Sequence, residues 1–207
     1  MGLGFEAVDK QVVELFALVG DGFAGATEAF LRGDRLIAEA LIARDEIVDR
    51  LYLDIEQEVN LQINSHELTP SDITYLVGIL RIIPELERSG DLAEHIAQKS
   101  LLGLGSEMTP RIRGIIDQMG IVASDMWQRA ANAFISKDRG AHRVIDALDD
   151  EIDDLTIAYY AELASSCREI VPAIELSLVG RFFERFADHA VNLSKAASQL
   201  PTLDDQR

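Results

Sequence analysis

The sequence is short of the residues on which several protein classes depend. Its 207 residues include one cysteine, five prolines, one tryptophan and four histidines. The single thiol, Cys167, excludes a disulfide framework and a thiolate metal cluster, and it is typical of a reducing compartment. No apolar run approaches the roughly 18 residues that a membrane-spanning helix needs. No basic leader opens the chain, so we expect a cytoplasmic protein without membrane insertion.

Basic residues are scarce as well. The chain has 19 Lys and Arg against 36 Asp and Glu, a formal net charge of −17. Binding to a nucleic-acid backbone depends on clustered basic side chains, so the composition argues against a nucleic-acid partner. The acidic composition favours cations or basic protein surfaces as binding partners instead. Because 48% of the residues are hydrophobic, the chain can still form a folded core.

Helical periodicity dominates the spacing of apolar residues along the chain. No segment alternates apolar and polar residues for long enough to predict a strand. The breaks in the pattern fall at Gly33-Asp34 and just before Pro70, Pro110 and Pro172, where helix ends and caps are expected. The sequence therefore predicts an all-α fold of six long helices. Their apolar stripes run through Val8–Phe30, Ile37–Val59, Ile73–Ile96, Ile112–Phe134, Val144–Leu163 and Leu176–Ala197.

The chain also repeats itself at a constant offset of 104 residues. Any two amphipathic helices share Ala and Leu, but these matches include Asp and Phe. The repeat predicts two pseudo-symmetric antiparallel three-helix bundles, residues 1–103 and 104–207. It also predicts that Asp34 and Asp138 cap the second helix of each half. The matched pairs include Asp21 with Asp125, Phe23 with Trp127, Phe30 with Phe134, Asp34 with Asp138, Asp45 with Asp149 and Asp49 with Asp153.

Pairs of acidic residues four apart lie on one face of a helix, and their placement matters more than their number. If the second and third helices form a hairpin, residues equidistant from the turn face each other. Asp45 then faces Asp91, and Asp49 faces Glu87, since both pairs centre on Leu68. Each half is thus expected to bring two carboxylate pairs to one level of a helical hairpin.

The second half repeats this arrangement. Asp149 and Asp188 centre on the predicted turn between the fifth and sixth helices. Four carboxylates at one level repel one another unless protons, basic neighbours or metal ions compensate them. Oxygen donors favour hard ions, so iron(III), manganese, magnesium or calcium rank above zinc. On spacing alone, ordinary surface charge remains an equal alternative.

Two segments resemble the paired third-helix signatures of the PhoU family. They are Ile83–Asp91, with the sequence IPELERSGD, and Gly180–Asn192, with the sequence GRFFERFADHAVN. The acidic pairs of the second and fifth helices match the family's E(D)xxxD motif. The resemblance covers nearly the whole chain, including its repeat.

This resemblance implies two similar three-helix bundles that bind multinuclear metal clusters, iron first among the metals, on their surface. Pro84 departs from the pattern: it lies one turn before Glu87, removes a helix hydrogen bond and is expected to kink the third helix at the first site. The metal ligands carried over by the resemblance are Asp45, Asp49, Glu87, Asp91, Asp149, Asp153, Glu184 and Asp188.

The resemblance further implies a negative regulator of phosphate uptake and of the phosphate-starvation response, without catalysis of its own. Its expected partners are the nucleotide-binding subunit of a phosphate ABC transporter and a phosphate-sensing histidine kinase, and a homodimer is left open. Two other classes remain as alternatives. One is a carboxylate-bridged di-iron enzyme or metal store, although no histidine here has an acid three residues before it. The other is a purely structural helical module.

Overall fold

The computed structural model describes residues 5–65, 67–138, 140 and 142–201. These residues form six α-helices and a turn of 3-10 helix at Leu104–Glu107, with no strand among them, which confirms the predicted all-α fold. None of the described helices has the length and apolarity needed to cross a membrane. The helices are α1 Glu6–Arg32, α2 Arg35–Ser65, α3 Pro70–Ser100, α4 Pro110–Ser136, α5 His142–Ser166 and α6 Ile170–Ser198.

The helix ends follow the local cap chemistry. Gly33, at φ 68°, ends α1 in the left-handed conformation. The carboxylate of Asp34 then accepts the N–H groups of Leu36 and Ile37, both at 3.1 Å, so it caps α2 as predicted. In the second half, the carboxylate of Asp138 accepts the N–H of Gly140 at 2.7 Å, and α5 begins at His142. Residues 139 and 141 lie outside the described residues, so the matching prediction that Asp138 caps α5 stays a prediction.

The helices of each half pack on one another, as α1, α2 and α3 and as α4, α5 and α6. The halves meet where α1 packs on α4 and α3 packs on α6, which leaves α2 and α5 on the outside. This is the predicted pair of pseudo-symmetric bundles. The division into domains 1–103 and 104–207 stays a prediction.

An aromatic core fills the junction between the halves. The rings of Phe23 and Phe186 stack with centroids 3.7 Å apart, and Trp127 lies 4.7 Å from Phe186. Trp127, the repeat match of Phe23, is 3% exposed, and its indole N–H donates to the carbonyl of Phe16 at 2.9 Å. This core fixes α1, α4 and α6 relative to one another.

Helices α3 and α6 run antiparallel. Lys99 near the end of α3 lies 2.6 Å from Glu175 near the start of α6, whereas Ser89 lies opposite His189 further along. The two third-helix signatures therefore lie side by side at the same level of the molecule.

Candidate metal centre

Three predicted carboxylates of the first half meet at the surface between α2 and α3. Oxygen atoms of Asp45, Asp49 and Asp91 all lie within 4.8 Å of one another. Asp45 and Asp91 are half-buried and Asp49 is exposed. The hairpin geometry predicted from the sequence thus brings these three side chains together, and we call them the first acidic cluster.

A glycine allows this approach of the two helices. A Cβ atom added to Gly90, the residue before Asp91, would lie 2.9 Å from Cγ1 of Val48. Val48 lies on α2 between Asp45 and Asp49. Because a side chain at residue 90 would separate the helices here, the missing Cβ helps to set the spacing of the carboxylates.

Negative charges crowd the first acidic cluster, and His95 and Arg88 offset part of their effect on the pKa of Asp91. Partial burial, followed by the charges of Glu94, Asp49 and Asp91, raises the pKa of Asp45 to about 6. Glu94, the strongest of these neighbours, was not in the predicted ligand set. Its signal in the sequence is its position three residues after Asp91, on the same face of α3.

Glu87 lies at the edge of the cluster. Its pKa is raised by partial burial and by the charges of Asp91 and Asp49, while Arg88 lowers it. Helix α3 continues from Pro70 to Ser100 with Pro84 inside it, so the proline does not end the helix before the site.

The second half brings its four predicted carboxylates into one neighbourhood, between α5 and α6. Partial burial and the charges of Asp188 and Asp153 raise the pKa of Asp149. The pKa of Asp188 is likewise raised by partial burial and then by Glu184. We call Asp149, Asp153, Glu184 and Asp188 the second acidic cluster. Its members interact across the same helix pair that the repeat predicted.

A basic side chain forms a direct hydrogen bond to a member of the second acidic cluster. Arg181 donates to the carboxylate of Glu184 at 2.8 Å. Lys195 lies 3.2 Å from Asp146 and lowers the pKa of Asp149. Within the described ranges, only the first cluster has three carboxylates whose oxygen atoms all lie within 4.8 Å.

A buried histidine lies between the two clusters. The side chain of His189 is 7% exposed, and burial lowers its pKa. Its Nδ1 lies 2.9 Å from Oγ of Ser89, whose hydroxyl donates to the carbonyl of Glu85 at 2.6 Å. The hydroxyl therefore accepts an Nδ1–H from the imidazole. The signal for burial was the apolar pair Phe186 and Leu193 on the same helix face.

The donor atoms of both clusters are carboxylate oxygens. Such donors fit a hard cation. The neighbouring carboxylates that, after burial, raise the pKa of Asp45 are negative charges that a cation would compensate. The first cluster joins α2 to α3 and the second joins α5 to α6. A bound cation would therefore crosslink the two helices of each pair.

Comparison with known proteins gives matches over both halves. The family model described as "PhoU domain" matches residues 12–100 and 116–197, which contain all eight predicted ligands. A "Phosphate-specific transport system accessory protein PhoU homolog" from Aquifex aeolicus is 32% identical over 184 residues, covering 87% of this chain and 83% of the relative. "Homolog 2" of the same name from Mycobacterium tuberculosis is 27% identical, covering 91% of this chain and 90% of the relative.

Solved structures share the fold. The crystal structure of PhoU from Pseudomonas aeruginosa superposes with a TM-score of 0.86 at 21% identity, covering 94% of this chain and 95% of that one. The phosphate transport system regulatory protein PhoU from Streptococcus pneumoniae gives a TM-score of 0.85 at 22% identity, covering 94% and 93%. At these identities the likeness concerns the fold, and it agrees with the paired bundles described above.

Proposed function

Because this chain belongs to the PhoU domain family, we propose that it is an accessory regulator of phosphate uptake. The match of the family model to both halves of the chain carries this proposal. In the proposed role the protein is cytoplasmic, has no catalysis of its own, and restrains phosphate import and the starvation response when phosphate is plentiful. Its relatives' designation as transport system accessory proteins supports the link to transport.

We further propose that the protein acts as an adaptor. Its partners would be the nucleotide-binding subunit of a phosphate transporter and a phosphate-sensing histidine kinase. The net charge of −17 and the long helical faces support docking on basic protein surfaces. Since charge steers such docking, binding should weaken as the salt concentration rises.

The two acidic clusters are the proposed cation sites. Asp45, Asp49 and Asp91, with Glu87 at the edge, would hold a hard cation in the first half, and the second acidic cluster would hold one in the second half. Iron is the first candidate, and manganese, magnesium, calcium and zinc follow. A bound cation would neutralise the repulsion among the carboxylates. Because the ligands are partly exposed, affinity should be modest.

Deletion of the gene in the source organism tests the regulatory role. In phosphate-rich medium, we expect phosphate-starvation transcripts to rise and phosphate uptake to increase. Expression of the wild-type chain from a plasmid should restore both. Transcripts that stay repressed, with normal uptake, would defeat the proposal and favour a structural helical module.

Elemental analysis of protein purified without chelator tests the cation sites. A variant with Asn or Gln at all four residues of the second acidic cluster should lose the metal of that cluster and keep the metal of the first. The matched variant with Asn at Asp45, Asp49 and Asp91 and Gln at Glu87 should do the reverse. Unchanged metal content in both variants would show that the assignment is wrong.

A further inference from the structure

A long furrow runs along the solvent side of α1 and α4. It consists of two continuous depressions, of about 600 and 350 Å³, which share Ala24, Ser124 and Gln128 in their walls. Along α1 it extends from Val13 to Arg32, roughly 28 Å at ~1.5 Å per residue. None of its lining residues belongs to the two acidic clusters, and we call it the α1–α4 furrow.

Small side chains line much of the α1–α4 furrow. Ala17, Gly20 and Ala24 contribute from α1, and Ser124 and Ala131 contribute from α4. Short side chains at these positions let another backbone approach closely. A helix lying between two antiparallel helices makes contacts of the kind that hold a three-helix bundle together.

Apolar side chains stand near both ends of the α1–α4 furrow. Ile121 is 57% exposed and lines the larger depression, whereas Ile135 is 56% exposed and lines the smaller one. They lie on the same helix, fourteen residues and therefore about 21 Å apart. An occupant that spans the furrow would cover both side chains.

The rim of the α1–α4 furrow is acidic. Its lining includes Asp21, Glu28, Asp117 and Asp125 against a single basic residue, Arg32. Arg32 lies 2.8 Å from Glu28, and two arginines outside the lining also pair with its acids: Arg129 lies 2.9 Å from Asp125 and Arg44 lies 3.9 Å from Asp21. These pairs reach solvent, which screens them, so they compensate the acidic rim only in part. Asp21 and Asp125 are the repeat-related residues of the two halves, so the negative rim comes from both bundles.

We propose that the α1–α4 furrow receives a basic amphipathic helix of a partner protein. Apolar residues at three- and four-residue spacing would cover the small side chains of the furrow, and flanking Lys and Arg would meet the acidic rim. A second copy of this chain fits poorly, because two-fold contact through this face would bring the acidic rims of two chains of charge −17 together. The inference rests on the adaptor role proposed above and deepens it, because it names the surface and the chemistry of one docking site.

A model peptide provides the probe. A fluorescent helix of about 18 residues, with Leu on one face and Lys on the other, matches the length of the furrow. Its binding to the full chain is measured by fluorescence polarisation at low and moderate salt. Wild-type protein should bind it, and the same peptide with Glu in place of Lys should not bind.

Variants of the furrow test where the peptide binds. Ala24→Arg fills the furrow and adds a positive charge, so affinity should fall by about tenfold or more. Ala40→Arg makes the same change at an exposed position of α2 and should leave affinity near the wild-type value. Gln128→Arg on the opposite wall, with Gln57→Arg on α2 as its control, repeats the comparison. Circular dichroism confirms that each variant is folded.

Three outcomes would overturn the proposal. The first is equal peptide affinity in the furrow variants and their controls. The second is equal binding of the Lys and Glu peptides. The third is a wild-type dimer, seen by sedimentation velocity, that Ala24→Arg dissociates while Ala40→Arg does not, since the furrow would then hold a second copy. None of these measurements depends on phosphate regulation, so failure here is distinguishable from failure of the proposed function.

Discussion

Lys137 and Gly33 occupy equivalent positions in the two halves, and both adopt the left-handed backbone conformation, with φ of 55° and 68°. Glycine adopts this conformation freely, whereas an L-residue with a side chain is strained by roughly 1–2 kcal/mol. The lysine side chain crosses to the other half. Its Nζ lies 3.4 Å from the carboxylate of Asp9 and 4.7 Å from the ring centroid of Tyr75. The strained residue therefore supplies a contact between the bundles.

Two substitutions should separate these opposing effects. Lys137→Ala removes the ion pair and the cation–π contacts but keeps the strain, so the free energy of unfolding should fall by about 1–2 kcal/mol. Lys137→Gly removes the same contacts and relieves the strain, so it should stay within about 1 kcal/mol of wild type. Urea denaturation measures both values. Equal stability of the two variants would show that the backbone at residue 137 is not strained.

The sequence predicted features that depend on local spacing. The period of the apolar residues gave six helices, and Asp34 caps α2 as its position indicated. The equal distances of Asp45 and Asp91 from Leu68 predicted their meeting, because a helical hairpin places such residues at one level. Each of these inferences uses geometry within one helix or one hairpin.

Features that depend on contacts between the halves were not predicted. His189 is buried because α6 packs on α3, and helical period within α6 does not reveal that partner. The contact of Lys137 with Asp9 likewise joins residues far apart in the chain. Glu94 is absent from the predicted ligands for another reason: the acidic pairs of the prediction are four residues apart, whereas Glu94 follows Asp91 by three.

Gly90→Val should disturb the first acidic cluster. The new side chain would meet Val48 on α2, already 2.9 Å from an ideal Cβ, and push the helices apart. We expect a loss of about 1–3 kcal/mol in the free energy of unfolding and weaker cation binding at the first cluster. Isothermal titration with Mn²⁺ measures the binding. Adding Val48→Ala to Gly90→Val should recover part of both losses, and no recovery would contradict this steric explanation.

The pKa of Asp45 predicts how the metal-free protein responds to pH. This pKa is about 6 in the folded chain, above the ordinary value of 3.8. The folded state therefore holds the proton more tightly, and this group's contribution to stability is lost as pH rises through the interval between the two values. In chelator, Asp45→Asn should stabilise the protein relative to wild type at pH 7 and have less effect at pH 4.

Thermal unfolding of both proteins across this pH range checks the prediction. Comparing the variant with wild type at each pH removes the contribution of His189, which both proteins contain. Asp54→Asn, at an exposed position of the same helix, is the control for the loss of one negative charge from α2. If the difference in melting temperature between wild type and Asp45→Asn does not change with pH, the pKa of Asp45 is not raised in the folded protein.

The two acidic clusters should bind cations unequally. The first has Glu94 as an additional negative neighbour, and its positive neighbour Arg88 donates to Glu85, outside the cluster. In the second, Lys195 lies beside Asp149 and Arg181 donates directly to Glu184, a member of the cluster. Negative neighbours attract a cation and positive neighbours oppose it, so the first cluster should bind Mn²⁺ more tightly.

Single-cluster variants make the comparison direct, because each one retains one site for titration with Mn²⁺. In the variant that keeps only the second cluster, Lys195→Gln should strengthen binding by roughly three- to tenfold, since it removes an opposing charge close to Asp149. In the variant that keeps only the first cluster, Lys195→Gln should change nothing, because that lysine interacts with α5. Two results would show that these basic neighbours do not cause the difference in Mn²⁺ affinity. One is tighter Mn²⁺ binding by the second cluster before Lys195→Gln is introduced, and the other is an equal gain in affinity at both clusters after it.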